Sequence, residues 1–138
     1  MLNTYLNFDG NCREAFEFYR SVFGGEFDVM ETFRNGPGDM GVPQEEMDNI
    51  MHVSLPIGDS VLMGSDMPSG FGITHTAGNN FSISVSPDTK EESDRLFVAL
   101  SEGGTVTMPM ADMFWGSYFG SCTDKFGVNW QVNCEQPE

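Results

Sequence analysis

Two histidines, His52 and His75, and three cysteines, Cys12, Cys122 and Cys134, are the side chains of this 138-residue chain most suited to metal binding or nucleophilic chemistry. The cysteines are odd in number and lack Cys-x-x-Cys spacing, which argues against a disulfide scaffold and against a structural zinc site. Cys122 and Cys134 lie in or beside alternating stretches and are expected as buried thiols. His52 shares strand parity with Ser54, so it either faces a cleft as ligand or acid–base group or hydrogen-bonds locally. Tyr118 is a second candidate acid–base group. A metal site built from His52 with Asp66 or Asp124 has no spacing argument behind it. No nucleophile elbow, Walker loop or dinucleotide-binding glycine fingerprint occurs, and the sequence calls for no cofactor. Gly36-Pro37-Gly38 and Gly70-Phe71-Gly72 stand outside any strand-to-helix turn and are loop chemistry.

Charge narrows the partners. Twenty-one acidic residues against six basic ones leave a formal net charge of −15, which disfavours nucleic acid and anionic membrane surfaces. Arg13, Arg20, Lys90 and Arg95 fall on predicted helices, so only Arg34 and Lys125 remain to meet an anionic ligand. No apolar run approaches the roughly 20 residues that span a bilayer. The start, MLNTYLNFDG, has no basic region or long apolar stretch, and the expected location is cytoplasmic.

The elements that must position these groups follow from periodicity. Residues 3–8 alternate as a strand, with Leu6 and Phe8 opposite Tyr5 and Asn7. Asn11 with Glu14 offers a capping box, and Ala15, Phe18, Tyr19 and Val22 mark the buried stripe of a helix stopped by Gly24-Gly25. Residues 27–33 return to strand character. Residues 35–49 form a long Gly-, Pro- and acid-rich loop, a lid or a disordered segment, whose Met40 and Met47 could cap an apolar ligand. Residues 50–55 and 60–65 make a hairpin, and 67–79 a connection. Residues 80–85 alternate again, Ser82 and Ser84 opposite Phe81, Ile83 and Val85. Asp88 is the next N-cap, Leu96, Phe97 and Leu100 the next buried stripe, and Gly103-Gly104 the next stop. Residues 105–108 are a strand. Residues 118–123 and 128–133 close the chain as a hairpin around Asp124-Lys125-Phe126-Gly127. Its last strand sets Asn129, Gln131 and Asn133 on one face, opposite Val128, Trp130 and Val132.

The second half repeats the first. Gly103 stands 79 positions after Gly24, and the same shift puts Phe97 on Phe18 and Val85 on Leu6. Two copies of strand–helix–strand–strand–strand account for the whole chain.

YLNFDGNCREAFEFYRSVFGGEF, SVLMGSDMP, and FWG followed by TDKFGVNWQVN together resemble the PhnB-like subgroup of the vicinal oxygen chelate, or glyoxalase/bleomycin-resistance, superfamily. The resemblance implies one α+β domain over residues 1–138: a first βαβββ module over about 1–66, a connection over about 67–79, and a second module over about 80–138. It implies a curved mixed sheet around a cleft, and a homodimer. The superfamily's usual metal-ligand positions fall near Asn3, Leu62, Asn80 and Gln131, and none of these, nor Ser82, is His, Asp, Glu or Cys. Neutral amides bind divalent transition ions poorly, so the usual metal site is expected to be missing.

The expected cleft is lined by Tyr5, Asn7, His52, Ser54, Ser82, Ser84, Asn129, Gln131 and Asn133, with Trp115, Met108 and Met110 as further wall. Apolar walls with a few hydrogen-bonding groups describe a small-molecule pocket. The alternative is that these groups satisfy one another across a filled dimer groove. The leading expectation is a small-molecule-binding or sequestering protein. The rivals are a lyase, isomerase or dioxygenase with a non-standard metal site, a metal-free acid–base enzyme using His52 or Tyr118, and an interaction module.

Overall fold

The structure is a computed structural model that describes residues 1–38 and 40–135. It consists of two compact units, Met1–Thr76 and a second beginning at Ala77, so the expected connection is divided between them. Each unit is one βαβββ module with its own four-stranded mixed sheet and one helix, an α+β architecture built from two copies.

The first module runs β1 (Thr4–Phe8), α1 (Cys12–Phe23), β2 (Val29–Thr32), β3 (Ile50–Ile57) and β4 (Ser60–Asp66), in sheet order β1-β4-β3-β2. β1 and β4 are parallel, and the other pairs are antiparallel. Leu6, Phe8, Leu62 and Gly64 lie on the face covered by α1, whose buried residues are Cys12, Ala15, Phe16, Tyr19 and Val22. The buried stripe therefore includes Phe16, while Phe18 is half-exposed beside Tyr19, a rotation from the expected one. Helix and sheet come close because Gly64 has no side chain: a Cβ there would lie 2.6 Å from the Phe16 ring and 2.9 Å from the Leu6 carbonyl oxygen.

The Asn11 capping box does not form, since the Asn11 side chain makes no capping hydrogen bond. Asp66 takes its place. One carboxylate oxygen accepts from the backbone N–H of Gly10 and of Cys12, each at 2.9 Å, and the other accepts from Ile50 N–H at 2.8 Å. The long loop is not wholly irregular: a 3-10 turn, Phe33–Asn35, leads into it from the end of the expected strand, and a second, Gln44–Glu46, lies within it.

The second module runs β5 (Ile83–Val85), α2 (Lys90–Ser101), β6 (Thr105–Asp112), β7 (Ser117–Thr123) and β8 (Asn129–Glu135), in sheet order β5-β8-β7-β6. This repeats the strand order of the first. β5 is shorter than residues 80–85, so Ser82 and Phe81 precede it, and Phe81 is 58% exposed instead of packed. Thr89, not Asp88, caps α2, its hydroxyl accepting from Glu92 N–H at 3.1 Å. β6 extends to Asp112, four residues past the expected end, as a solvent-exposed edge strand with Pro109 and two register shifts. Trp130, Val132 and Cys134 pack against α2 with Leu96, Phe97 and Leu100, as the alternation of β8 predicts.

Candidate functional site

In each module the helix covers one sheet face and leaves the other open within that module. In the first, the open face carries Tyr5 and Asn7 from β1, Met63 and Ser65 from β4, and His52 and Ser54 from β3. Tyr5 and Ser54 both pair with Met63, one from each neighbouring strand, so the register brings these two expected residues together. Tyr5 Oη lies 3.2 Å from His52 Nδ1, and the two rings stack with centroids 5.7 Å apart. Glu31 of β2 stands opposite His52 in the register. Ser54 is 5% exposed, so it serves the floor of the face and not its rim. His75 is placed by a different contact: its Nε2 donates to the backbone carbonyl of Asn7 at 3.0 Å and ties the following segment to edge strand β1.

In the second module, Ser84 pairs with Gln131, Gln131 with Ser121, and Asn133 with Phe119. Gln131 and Asn133 are half-exposed, and neither side chain makes a hydrogen bond among the described residues. Asn129 behaves differently. Its amide donates to the carbonyls of Gly78 and Phe81 at 2.8 and 3.3 Å and accepts from Thr123 Oγ1 at 2.8 Å, so it fastens the segment before β5. Trp115 is 56% exposed and meets Phe119 edge-on at 6.2 Å. Met108 is exposed on β6, and Met110 is half-buried there. Ser121, with Thr107 Oγ1 at 2.7 Å, belongs to this face and is absent from the expected lining. The alternation of residues 118–123 carried that signal once aligned with Gln131.

The remaining chemical candidates move elsewhere. Tyr118 faces α2, not the open sheet face, donates to Asp94 at 2.6 Å, and has its phenol pushed up to about 12 chiefly by that bond. Cys12, Cys122 and Cys134 are unbridged and buried. Burial pushes the Cys12 thiol far up and the Cys122 thiol to about 11, so neither is a nucleophile at neutral pH.

The metal positions implied by the fold do not fit a metal. Leu62 is buried under α1 and Met63 takes the open-face position, Asn3 and Asn80 lie outside the strands, and Gln131 offers a neutral amide. Asp66 is on the helix-covered side with both oxygens engaged, so it does not join His52. Asp124 is engaged by Phe126 N–H, Val128 N–H and Trp130 Nε1–H. Among the described residues, no three His, Cys, Asp or Glu side chains gather as a metal site.

Comparison with known proteins agrees with the fold. YjdN of Escherichia coli (strain K12) is 32% identical over 96% of this chain and 93% of its own. The crystal structure of PA1353 from Pseudomonas aeruginosa is 44% identical, covers 99% of this chain and 98% of its own, and superposes with a TM-score of 0.86. A PhnB protein from Bacillus cereus, whose name carries a 3-demethylubiquinone-9 3-methyltransferase description, is 26% identical over 96% of this chain and 98% of its own, with a TM-score of 0.76. A glyoxalase/bleomycin resistance protein/dioxygenase family enzyme from Burkholderia phytofirmans shares the fold at 19% identity over 96% of this chain and 98% of its own, with a TM-score of 0.64. The family described as 3-demethylubiquinone-9 3-methyltransferase matches residues 1–133, and this chain belongs to that PhnB-like family, with the glyoxalase/bleomycin-resistance fold.

Proposed function

We propose that this chain is a small-molecule-binding or sequestering protein that takes an uncharged or weakly polar ligand on its open sheet faces. The observation that carries this is the unpaired row on β8: Gln131 and Asn133 are half-exposed beside Ser84, Ser121 and Phe119, and make no side-chain hydrogen bond among the described residues. Amides with spare donors and acceptors next to aromatic walls recognise polar groups on an otherwise apolar molecule. Among the described residues, each helix leads from one sheet edge to the opposite edge, and neither forms the adjacent parallel βαβ unit with a glycine fingerprint that commonly seats a nucleotide.

A thermal-shift screen of neutral and anionic small molecules tests this, since a ligand that binds only the native state must stabilise it. Neutral compounds should raise Tm, and Gln131→Ala should remove most of that rise. A set in which only anions stabilise the protein, or none does, overturns the proposal. So does stoichiometric zinc, nickel, manganese or iron that persists through purification without chelator and disappears in His52→Ala.

The Tyr5–His52 bond supports a second reading, metal-free acid–base catalysis in which Tyr5 positions or exchanges a proton with the imidazole. Turnover of a bound compound that falls with His52→Ala and in which Tyr5→Phe changes the pH profile would favour it. We also propose a homodimer located in the cytoplasm. No helix among the described residues is long and apolar enough to cross a membrane, and light scattering at micromolar concentration tests the dimer.

A further inference from the structure

The first module contains a cavity of about 430 Å3 that the amide row on β8 does not touch. Its wall combines Met40 of the long loop, Met51 of β3, Met67 just past β4, and Phe71 and Ile73 of the following segment. Asn7 and Ser65 add an amide and a hydroxyl from the open sheet face. Asp66 also lines it, but both carboxylate oxygens already accept backbone hydrogen bonds. Among the described residues that line it, none is cationic.

Two irregular segments close over this space, and they are tied together. Glu46, in the 3-10 turn of the long loop, accepts from both the backbone N–H and the hydroxyl of Ser69, the first residue of the 3-10 turn Ser69–Phe71. The His75–Asn7 bond fastens the far end of the second segment to β1. A second recess of about 340 Å3 shares Phe33 and Met40 with it and adds Met47, so each loop methionine borders one of the two recesses or both. Phe71 and Ile73 remain 45% and 62% exposed at the edge, apolar surface that an occupant would cover.

We propose that this cavity is a binding site for a compact, uncharged aromatic molecule. The volume lies in the range of small-molecule sites, and unbranched thioethers adapt to flat rings and make favourable sulfur–aromatic contacts. With no cation in the wall and its carboxylate engaged, the site offers nothing to compensate a charged ligand for lost hydration. Asn7 and Ser65 supply one polar anchor region. This site goes beyond the proposed function and does not depend on it.

N-phenyl-1-naphthylamine, a neutral fluorescent probe, tests the cavity against 1-anilinonaphthalene-8-sulfonate, which adds a sulfonate to nearly the same rings. We expect a saturable, blue-shifted rise with one neutral probe per chain and at least tenfold weaker binding of the sulfonate. Met40→Glu, on a half-buried loop position, should weaken the neutral probe at least tenfold, and Phe71→Ser should weaken it several-fold with the fold intact by circular dichroism. Sulfonate binding as tight as the neutral probe, or neutral binding unchanged in both variants, overturns the proposal. Affinity that falls as protein concentration rises overturns it too, because a second copy of the chain would then be the occupant. Gln131→Ala separates the two readings: probe binding that survives it belongs to the cavity, whereas probe binding lost with it but kept in Met40→Glu assigns the probe to the β8 face and overturns the cavity.

Discussion

Asp66 braces the first module and Asp124 the second, in different ways. Each is a 3% exposed carboxylate that accepts from three N–H groups. Asp66 collects donors far apart in the chain, the start of α1 at Gly10 and Cys12 and the start of β3 at Ile50. Asp124 collects local ones, Phe126 and Val128 in its own turn and the indole of Trp130 on the next strand. The first carboxylate secures tertiary structure, and the second secures a hairpin. The modules thus repeat strand order and helix placement while assigning the buried carboxylate to a different task. Where the tasks diverge, the loops diverge: the first module carries the methionine cavity, the second the amide row.

The largest expected effect tests that division. Asp66→Ala leaves three separated N–H groups without an acceptor, two of their bonds buried, and should cost about 3–5 kcal/mol. Asp124→Ala should cost about 2–3 kcal/mol, because only the Trp130 indole bond is buried, while the two turn amides are partly buried and can turn to water. Urea midpoints measure both, and equal losses, or a larger loss at Asp124, would refute the distinction. A second contrast concerns close approach. Gly64→Ala meets the fully buried Phe16 ring and a backbone carbonyl, whereas Gly120→Ala meets chiefly the flexible end of Met110, with Met110 N and the Phe97 ring each at 3.0 Å. Costs of about 2–3 and about 1–2 kcal/mol follow, and a reversed order would show that α2 is the less yielding helix.

Much of this comparison was legible in the sequence. The shift of 79 residues, the parity of β1 and β8, and the two Gly-Gly stops identify both modules, because each depends on local periodicity or on a residue able to take positive φ, as Gly24 and Gly103 do. What periodicity cannot supply is the partner of a polar side chain. Asn11 and Glu14 have capping-box spacing, yet Asp66, 55 residues after Asn11, provides the acceptor. Asn129 shares the parity of Gln131 but is occupied by Gly78 and Phe81, residues distant in sequence. The Tyr5–His52 contact also crosses strands and needs the register to be found.

Helix starts give a smaller test. Thr89→Ala removes the acceptor for Glu92 N–H and should cost about 1 kcal/mol, against a few tenths for Asn11→Ala, whose side chain caps nothing. Thermal denaturation of the two variants measures this, and an Asn11 loss as large as that of Thr89 would show that Asp66 does not replace the missing cap.

The smallest effect is a pH contrast between the segments that flank the module boundary. In the first module, Glu46 holds Ser69 through a carboxylate whose pKa is lowered by the Ser69 hydroxyl and then by the Ser69 N–H. A lowered folded pKa means that the latch is complete above the ordinary Glu value and is lost as pH falls through the depressed one. In the second module, the segment before β5 is held by the neutral amide of Asn129, which does not titrate. The Ser69 amide proton resonance should therefore shift with a midpoint below the ordinary 4.5 of a glutamate, and the shift should vanish in Glu46→Gln. The Gly78 and Phe81 resonances should not follow that titration. A Ser69 midpoint at or above the ordinary value, or a parallel shift in Glu46→Gln, would show that this carboxylate does not close the segment over the methionine cavity.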